Sequence, residues 1–287
     1  MKQTVKILQS NVVNRLMQFD TNNYQPVEVT RRGVFEKEFY VGNDNNSLVI
    51  RLEHPTNYDG KLKLADFNFS VTTHRLLMYI RELFTLRNDA KIDFSIKDYM
   101  NRCMLKDRKY TKKQLERDLY ALSAVRYFAD YDDSYIIESF SIHHGRVYLE
   151  LFYKFVEEIQ SHNNYILLPL NYYKINIQRF HAAPGLLYYM LMHECMNKRK
   201  KNSNRIRISS LLKRGQFPTV EAVRMSECNA IKRRIVEPFF QTLHSISGMV
   251  SFRFYDEYNE ELSESEVKQL PYDDFARVLV QFKFLSK

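Results

Sequence analysis

Two stretches of the chain, 70–155 and 183–285, pass through the same succession of local patterns, and this repetition constrains the fold more than any single motif does. In the first, SVTTHRLLMYIRELF (70–84) spaces its apolar residues at three and four, as an amphipathic helix does. KIDFSIKDYM (91–100) reads as a short strand entering a helix, and a basic turn at 106–110 leads into TKKQLERDLYALSAVRYF (111–128). That segment is a helix with Leu115, Leu119 and Leu122 on one face and Lys113, Arg117 and Tyr120 on the other. SYIIESFSI (134–142) and RVYLELFYKF (146–155) alternate on either side of His143, His144 and Gly145, the pattern of a hairpin.

The second stretch repeats the order. APGLLYYMLMHECM (183–196) is a helix that is apolar nearly all round and therefore buried, with Pro184 suited to its first turn. RIRISSLLKR (205–214) is again a strand entering a helix, a basic helix follows, and GMVSFRFYDE (248–257) with ARVLVQFKFL (276–285) makes another hairpin. Ile92 to Leu115 spans 23 residues and Ile206 to Ile231 spans 25, so the spacing is shared as well. Helix, strand-helix, basic helix and hairpin is the order of a winged helix-turn-helix. The expected fold class is α+β: two tandem winged helix-turn-helix domains, 64–160 and 161–287, with an additional strand-containing N-terminal segment, 1–63. Turn chemistry at Gly33 and from Gly42 to Asn46 breaks the strand-like alternation of that segment, which either adds strands to the first module or binds something of its own.

A chain of 287 residues is long enough for two such cores, and its seven glycines and seven prolines leave no flexible linker between them. Cys103, Cys195 and Cys228 are an odd number without CxxC spacing, and the N-terminus lacks a signal-like apolar run. Both features fit a reducing, cytoplasmic setting. No apolar run reaches the length that crosses a bilayer, so a soluble protein without a membrane partner is expected.

The net charge of +9 is concentrated. From Lys198 to Arg234 there are twelve Lys and Arg against Glu221 and Glu227, and from Arg102 to Arg117 seven against Asp107 and Glu116. Charge gathered this way is the footprint of a polyanion partner, because every neutralised phosphate releases condensed counterions. An acidic membrane surface fits less well, since the cations lie on alternating helix and strand patterns and not on an isolated amphipathic helix.

The larger cluster ends in ECNAIKRRIVEPFFQTL (227–243). Helical spacing turns Cys228, Ile231, Ile235 and Phe239 inward and Ser226, Asn229, Ala230, Arg233 and Glu237 outward, with Arg234 on one flank and Lys232 leaning toward the packed side. Pro238 disfavours helical geometry at Glu237, so a bend or stop is expected there before Phe239, Phe240 and Leu243 anchor the chain. In a winged helix the outer face of this helix enters the major groove, where Arg pairs with guanine and Asn with adenine. Ser226, Asn229 and Arg233 are the candidate base readers, and Lys232 and Arg234 suit flanking phosphates. Lys198, Arg199, Lys200 and Lys201 form a loop able to follow a DNA backbone, joined by Arg205, Arg207 and the Lys213–Arg214 pair. In the first module the candidates are Arg108, Lys109, Lys112, Lys113 and Arg117, with Tyr110 and Tyr120 beside them.

Catalytic readings find little to stand on. No GxGxxG or GxxxxGK[ST] can be drawn from the glycines, so no phosphate loop and no cofactor is expected. Origin-relaxing nucleases need two histidines one residue apart on a strand face, whereas His143 and His144 are adjacent and point to opposite faces. His193 and Cys195 sit in an apolar helix without a second ligand pair and read as core residues, not a metal site. A non-catalytic protein is expected.

IKRRIVEPFFQTLHSISGMVSFRFYDE followed by ARVLVQFKF resembles the C-terminal winged helix of iteron-binding plasmid replication initiators, in which a basic helix with a proline-interrupted second part leads into a wing ending in an apolar-Phe pattern. GLLYYMLMHECM and RIRISSLLKR resemble the preceding helices; the likeness covers about 165–287, and 64–156 more loosely. It implies a cytoplasmic, non-catalytic protein that binds repeated double-stranded sites at a replication origin, helps to open it, recruits host replication proteins and dimerises through its first winged helix. Two features depart from that family: 1–69 exceed what is expected ahead of a first winged helix, and the expected wing carries DEYNEELSESEVKQLPYDD (256–274), with eight acids against Lys268 alone. Such an insertion is unsuited to phosphate and is expected to face solvent or a protein. The alternatives are a winged-helix transcriptional regulator and a single-strand or RNA-binding protein of a virus or mobile element, since fold does not fix function.

Overall fold

In the computed structural model, which describes residues 4–17, 19, 27–31, 34–41, 48–52, 69–129, 132–161, 164–198, 200, 204–226 and 230–285, helices and open sheets combine in an α+β fold. The chain divides into two units, Lys6–Ile166 and Met1–Val5 with Leu167–Lys287.

The first unit opens with most of β1 (Thr4–Gln9), then α1 (Asn11–Leu16), β2 (Val27–Arg31), β3 (Val34–Val41) and β4 (Leu48–Leu52). There follow α2 (Val71–Arg87), β5 (Lys91–Ser95), α3 (Ile96–Arg102), α4 (Lys109–Ala124), β6 (Val125–Ala129), β7 (Asp132–Tyr135), β8 (Ile137–His143), β9 (Arg146–Leu151) and α5 (Tyr153–Ser161). Strands β2, β3, β4, β6 and β7 form one antiparallel sheet in that order, with Ile50 opposite Tyr127. The N-terminal strands thus extend the first module. Strands β5, β9 and β8 make a second sheet.

Helix α2 starts at Ser70, whose N–H donates to the Thr73 hydroxyl at 3.3 Å in a capping box. It buries Leu76, Leu77, Ile80 and Phe84, each worth about 1.5–3 kcal/mol, but also His74, Arg75, Arg81 and Glu82. It is therefore enclosed on all sides. Helix α4 buries Leu115, Leu119 and Leu122 as their spacing requires, packs on α2, and touches both sheets through β4, β6 and β8.

Two boundaries differ from expectation. The helix expected to run to 128 ends at Ala124, because β-branched and aromatic Val125, Tyr127 and Phe128 pair with β4 instead. The hairpin strand expected to reach 155 ends at Leu151, and Phe155 and Ile159, four apart, become the buried stripe of α5. The hairpin itself turns at His144 and Gly145, both left-handed with φ of 49° and 74°, as a two-residue turn of this hand demands.

The second unit contains the end of β10 (Asn164–Pro169), a 3-10 turn (Leu170–Lys174), α6 (Ala182–Met196), β11 (Arg205–Arg207), α7 (Ile208–Arg214) and α8 (Val220–Ser226). A π turn (Lys232–Val236) then runs into α9 (Glu237–Ser245), followed by β12 (Val250–Tyr255), β13 (Glu261–Leu262), α10 (Glu264–Gln269), α11 (Tyr272–Arg277) and β14 (Leu279–Phe284). The sheet order is β11-β14-β12-β13, all antiparallel. Leu186, Leu187 and Met190 of α6, Phe239, Phe240 and Leu243 of α9, and Val250, Val280 and Phe282 of the hairpin share the buried core. Gly215 closes α7 where a Cβ would lie 2.5 Å from the Phe217 ring, so the turn passes only without a side chain.

Pro238 neither stops the helix nor separates its halves: the run 231–245 is continuous. A proline at this position cannot donate to Arg234. The preceding turn widens instead, with the Glu237 N–H bonded to the Lys232 carbonyl five residues back. The break lies earlier. Ala230 is non-helical and buried, contrary to its expected outward position, and Ser226 ends the separate helix α8.

The acidic insertion is folded, not an extended wing tip. β13 pairs with β12 at the sheet edge, and Ser263 caps α10 by accepting from the Glu266 N–H. Val267 and Phe275 are fully buried, the Phe275 ring meeting Phe239 edge-on at 5.8 Å. Its acids are mostly exposed, but its apolar side belongs to the core.

Candidate nucleic-acid interface

The two basic helices have similar beginnings. In α4 the Arg108 carbonyl accepts the first helical bond, from the Lys112 N–H at 3.2 Å, and in the 231–245 helix the Ala230 carbonyl accepts from the Arg234 N–H at 2.8 Å. Neither Arg108 nor Ala230 offers a side-chain acceptor to the exposed N–H groups, and neither first turn holds an acid. Side-chain caps vary along the chain: α1, α3 and α10 are capped by the hydroxyls of Ser10, Ser95 and Ser263, whereas α6, α7 and α11 have none either. Lys109, Lys112 and Lys113 occupy the start of α4, and Lys232, Arg233 and Arg234 the start of the other helix. Cations at the positive end of a helix dipole cost about 0.3–1 kcal/mol each, whereas an anion there is stabilising. Each start thus combines exposed cations with a helix end whose dipole favours an anion.

On α4, Arg108, Lys109, Lys112, Lys113 and Arg117 are all exposed, as is Tyr110. Lys112 pairs with Asp107 at 3.0 Å across solvent. Tyr120 is not part of this face: it is half-buried, its ring edge-on to Phe140 of β8 at 4.9 Å. Arg102, counted in the same charge cluster, turns inward to Glu82 at 2.6 Å.

The buried side of α4 carries a group that apolar spacing did not announce. Asp118 accepts from the hydroxyls of Thr72 and Thr73 at the start of α2, both at 2.9 Å, and from Gln114 at 3.1 Å. Burial pushes its carboxyl up to about 6, against the opposing pull of those three bonds and of the Arg75 charge. The detectable signal was an acid on the stripe formed by Leu115, Leu119 and Leu122. In β5, bonds from Arg146 and Arg87 hold Asp93 below its ordinary range despite some desolvation.

In the second unit Lys232, Arg233 and Arg234 are all exposed, including Lys232, which was expected to lean inward. Ser226 is exposed but belongs to α8, its hydroxyl donating to the Val223 carbonyl at 3.0 Å, so it does not share a helix with Arg233. Asn229, Arg199 and Lys201 lie outside the described residues. Lys198 and Lys200 are exposed beyond α6, Arg207 is exposed where β11 enters α7, and Lys213 and Arg214 are exposed in the last turn of α7. Arg214 stacks on Tyr189, guanidinium carbon 5.2 Å from the ring centre. Arg205 is engaged elsewhere: it lies 4.3 Å over the Tyr255 ring and donates to Asn259 in the insertion turn.

His143 and His144 stand exposed at the first hairpin tip. His193 packs edge-on to Tyr189 at 6.1 Å and Phe282 at 6.3 Å, while Cys195, expected in the core, is exposed. Among the described residues no three His, Cys, Asp or Glu side chains gather as metal ligands, and no helix is long and apolar enough to cross a membrane.

No family model and no curated protein sequence matches the chain. Similar solved structures include a crystal structure of selenomethionine derivatives of domains 2 and 3 of RctB, with a TM-score of 0.47 and 10% identity over 94% of this chain and 98% of that one. A second crystal structure of RctB domains 2–3 gives a TM-score of 0.45 and 12% identity over 97% and 94%. Likeness of that degree assigns neither a family nor an activity to this chain.

Proposed function

We propose that the chain is a non-catalytic, sequence-specific duplex-DNA-binding protein made of two winged helix-turn-helix modules, acting as a replication initiator of a plasmid or other mobile element. The observation that carries the DNA reading is the paired helix start: a first turn without acids and crowded with exposed cations, on a helix whose other side is core, ahead of an antiparallel hairpin. A duplex presents phosphates to the positive ends of the two helices and offers a groove to the exposed side chains behind them. Two such modules on one chain fit a site longer than one module covers. Repeated origin sites are of that kind, and the family resemblance of the second module points to them. Origin opening, recruitment of host replication proteins and dimerisation through the first module belong to the same reading.

In this arrangement Arg233 reads a base and Lys232 and Arg234 hold phosphates. Arg233→Ala is expected to weaken binding to a duplex obtained by selection against the full chain by about 1–3 kcal/mol, and binding to mixed-sequence duplex by less. Equal losses on both duplexes would move Arg233 to the phosphates. The initiator reading is tested by nuclease protection of a plasmid origin: protected direct repeats are expected, and protection of a single operator-like site would assign regulation instead.

A further inference from the structure

The 231–245 helix has two unlike ends. Lys232, Arg233 and Arg234 occupy its start. Its far half carries Glu237, Gln241 and His244 on the exposed side, and the acidic insertion is built against that half. His244 Nε2 lies 2.9 Å from Glu264 Oε2, and Lys268 sits 4.8 Å over the Phe240 ring. Phe275 packs on both Phe239 and Phe240. Helix α11 packs on α7, with Glu221 of α8 close enough to act on the Tyr272 hydroxyl, whose pKa burial and that charge together raise.

This packing compensates only part of the insertion's charge: Glu261 lies 3.8 Å from Arg253, and Glu264 meets Lys268 and His244. Its one cation, Lys268, is turned inward and also donates to Glu264. Glu257, Glu260, Asp273 and Asp274 are exposed. From Arg233 to His244 the helix rises about 16 Å at 1.5 Å per residue, roughly twice the ~8 Å screening length at physiological salt. An acid set beside His244, as Glu264 is, therefore leaves the attraction at the start of the helix largely intact.

We infer that the acidic insertion is a repulsive guide. It confines duplex DNA to the cationic start of the 231–245 helix and keeps it off the far half, so that discrimination between the selected sequence and other DNA rests partly on repulsion. The inference rests on the duplex-binding reading above and deepens it.

The test uses the full chain, a mixed-sequence duplex and a duplex selected against the unaltered protein. Glu257→Gln, Glu260→Gln, Asp273→Asn and Asp274→Asn touch neither the Ser263 cap nor the bonds to Glu264. Combined, they are expected to tighten mixed-sequence binding about fivefold or more, to steepen its salt dependence, and to narrow the preference for the selected duplex. Gln241→Arg, a cation added to the far half, should gain little in the unaltered chain and clearly more in the neutralised one. A pair of substitutions, Glu257→Gln with Glu260→Gln, gives a smaller version of the effect should the fourfold variant lose its fold. Its control is Glu138→Gln with Glu157→Gln, the same change of charge at exposed sites of the first unit. A gain no larger than in that control overturns the guide. If the unaltered chain binds duplex through Lys232, Arg233 and Arg234 and neutralisation changes nothing, the guide alone falls; if it binds no duplex, the functional reading falls and takes the guide with it.

Discussion

The two basic helices present similar cationic starts but are held in place by different physics. Helix α4 is fixed to its neighbour by a buried carboxylate, Asp118, that accepts three side-chain bonds, and Arg75 is buried nearby. The 231–245 helix is fixed by aromatic packing: Phe239 and Phe240 meet each other, and Phe275 of α11 meets both. Buried polar networks depend on protonation and are geometrically exacting, whereas an aromatic cluster is indifferent to pH and sensitive to a reduction in volume. A similar cationic surface is thus mounted once on a buried titratable group and once on a buried aromatic cluster.

The largest effect that can break this comparison is a cut in side-chain volume. Phe240→Ala removes a ring that touches Phe239, Phe254 and Phe275, and is expected to cost the second unit about 3–5 kcal/mol in urea unfolding. A cost no greater than for a surface substitution would show that the insertion and not the rings holds the helix.

Next in size is a difference in pH response. The folded Asp118 carboxyl, raised from an ordinary 3.8 to about 6, binds its proton more tightly than the unfolded one does. Its contribution to stability is therefore full below the unfolded value and is lost as pH rises through about 6, by up to about 3 kcal/mol for a two-unit shift. Asp93, Glu264 and Glu266, all lowered, work in the opposite direction, so the informative quantity is the difference between the native chain and Asp118→Asn. Urea unfolding at pH 4.5 and pH 7 should show Asn gaining on Asp as pH rises. A pH-independent difference would mean that Asp118 stays charged across the window and that its bonds outweigh burial.

The smallest effect concerns sequence preference. Replacing Lys113 and Arg117 with Ala is expected to weaken binding to selected and mixed duplexes alike, each removed charge lowering the logarithmic salt slope by about 0.9. A loss confined to the selected duplex would promote the first helix to a base reader and erase the difference in role between the modules.

Much of the architecture was legible because periodicity reports burial. Leu115, Leu119 and Leu122, or the alternation of Val250 to Tyr255, place one side inward whatever the neighbours are. What escaped depended on partners far away in the chain. Val125 to Phe128 continues the helical pattern until β4 offers it a pairing edge, and nothing near Arg205 announces Asn259. The eight acids of the insertion suggested a solvated loop because the apolar positions among them are few, yet buried Val267, with Phe275 directly after the segment, decides where it packs. Of the candidate DNA-facing residues, the clustered cations lie on the surface as their density implied, while Tyr120, Arg205 and Ser226 are drawn away by neighbours that their own segments do not reveal.

The central claim, that both helix starts bind phosphate, is tested most directly by the salt dependence of duplex affinity in three full-length chains. These are the unaltered protein, a variant with Lys112 and Lys113 replaced by Ala, and a variant with Lys232 and Arg234 replaced by Ala. Each pair of substitutions should lower the logarithmic slope by up to about 1.8, near 0.9 for every phosphate left without its cation. Slopes equal to that of the unaltered chain in both variants, with both folds intact, would contradict the account.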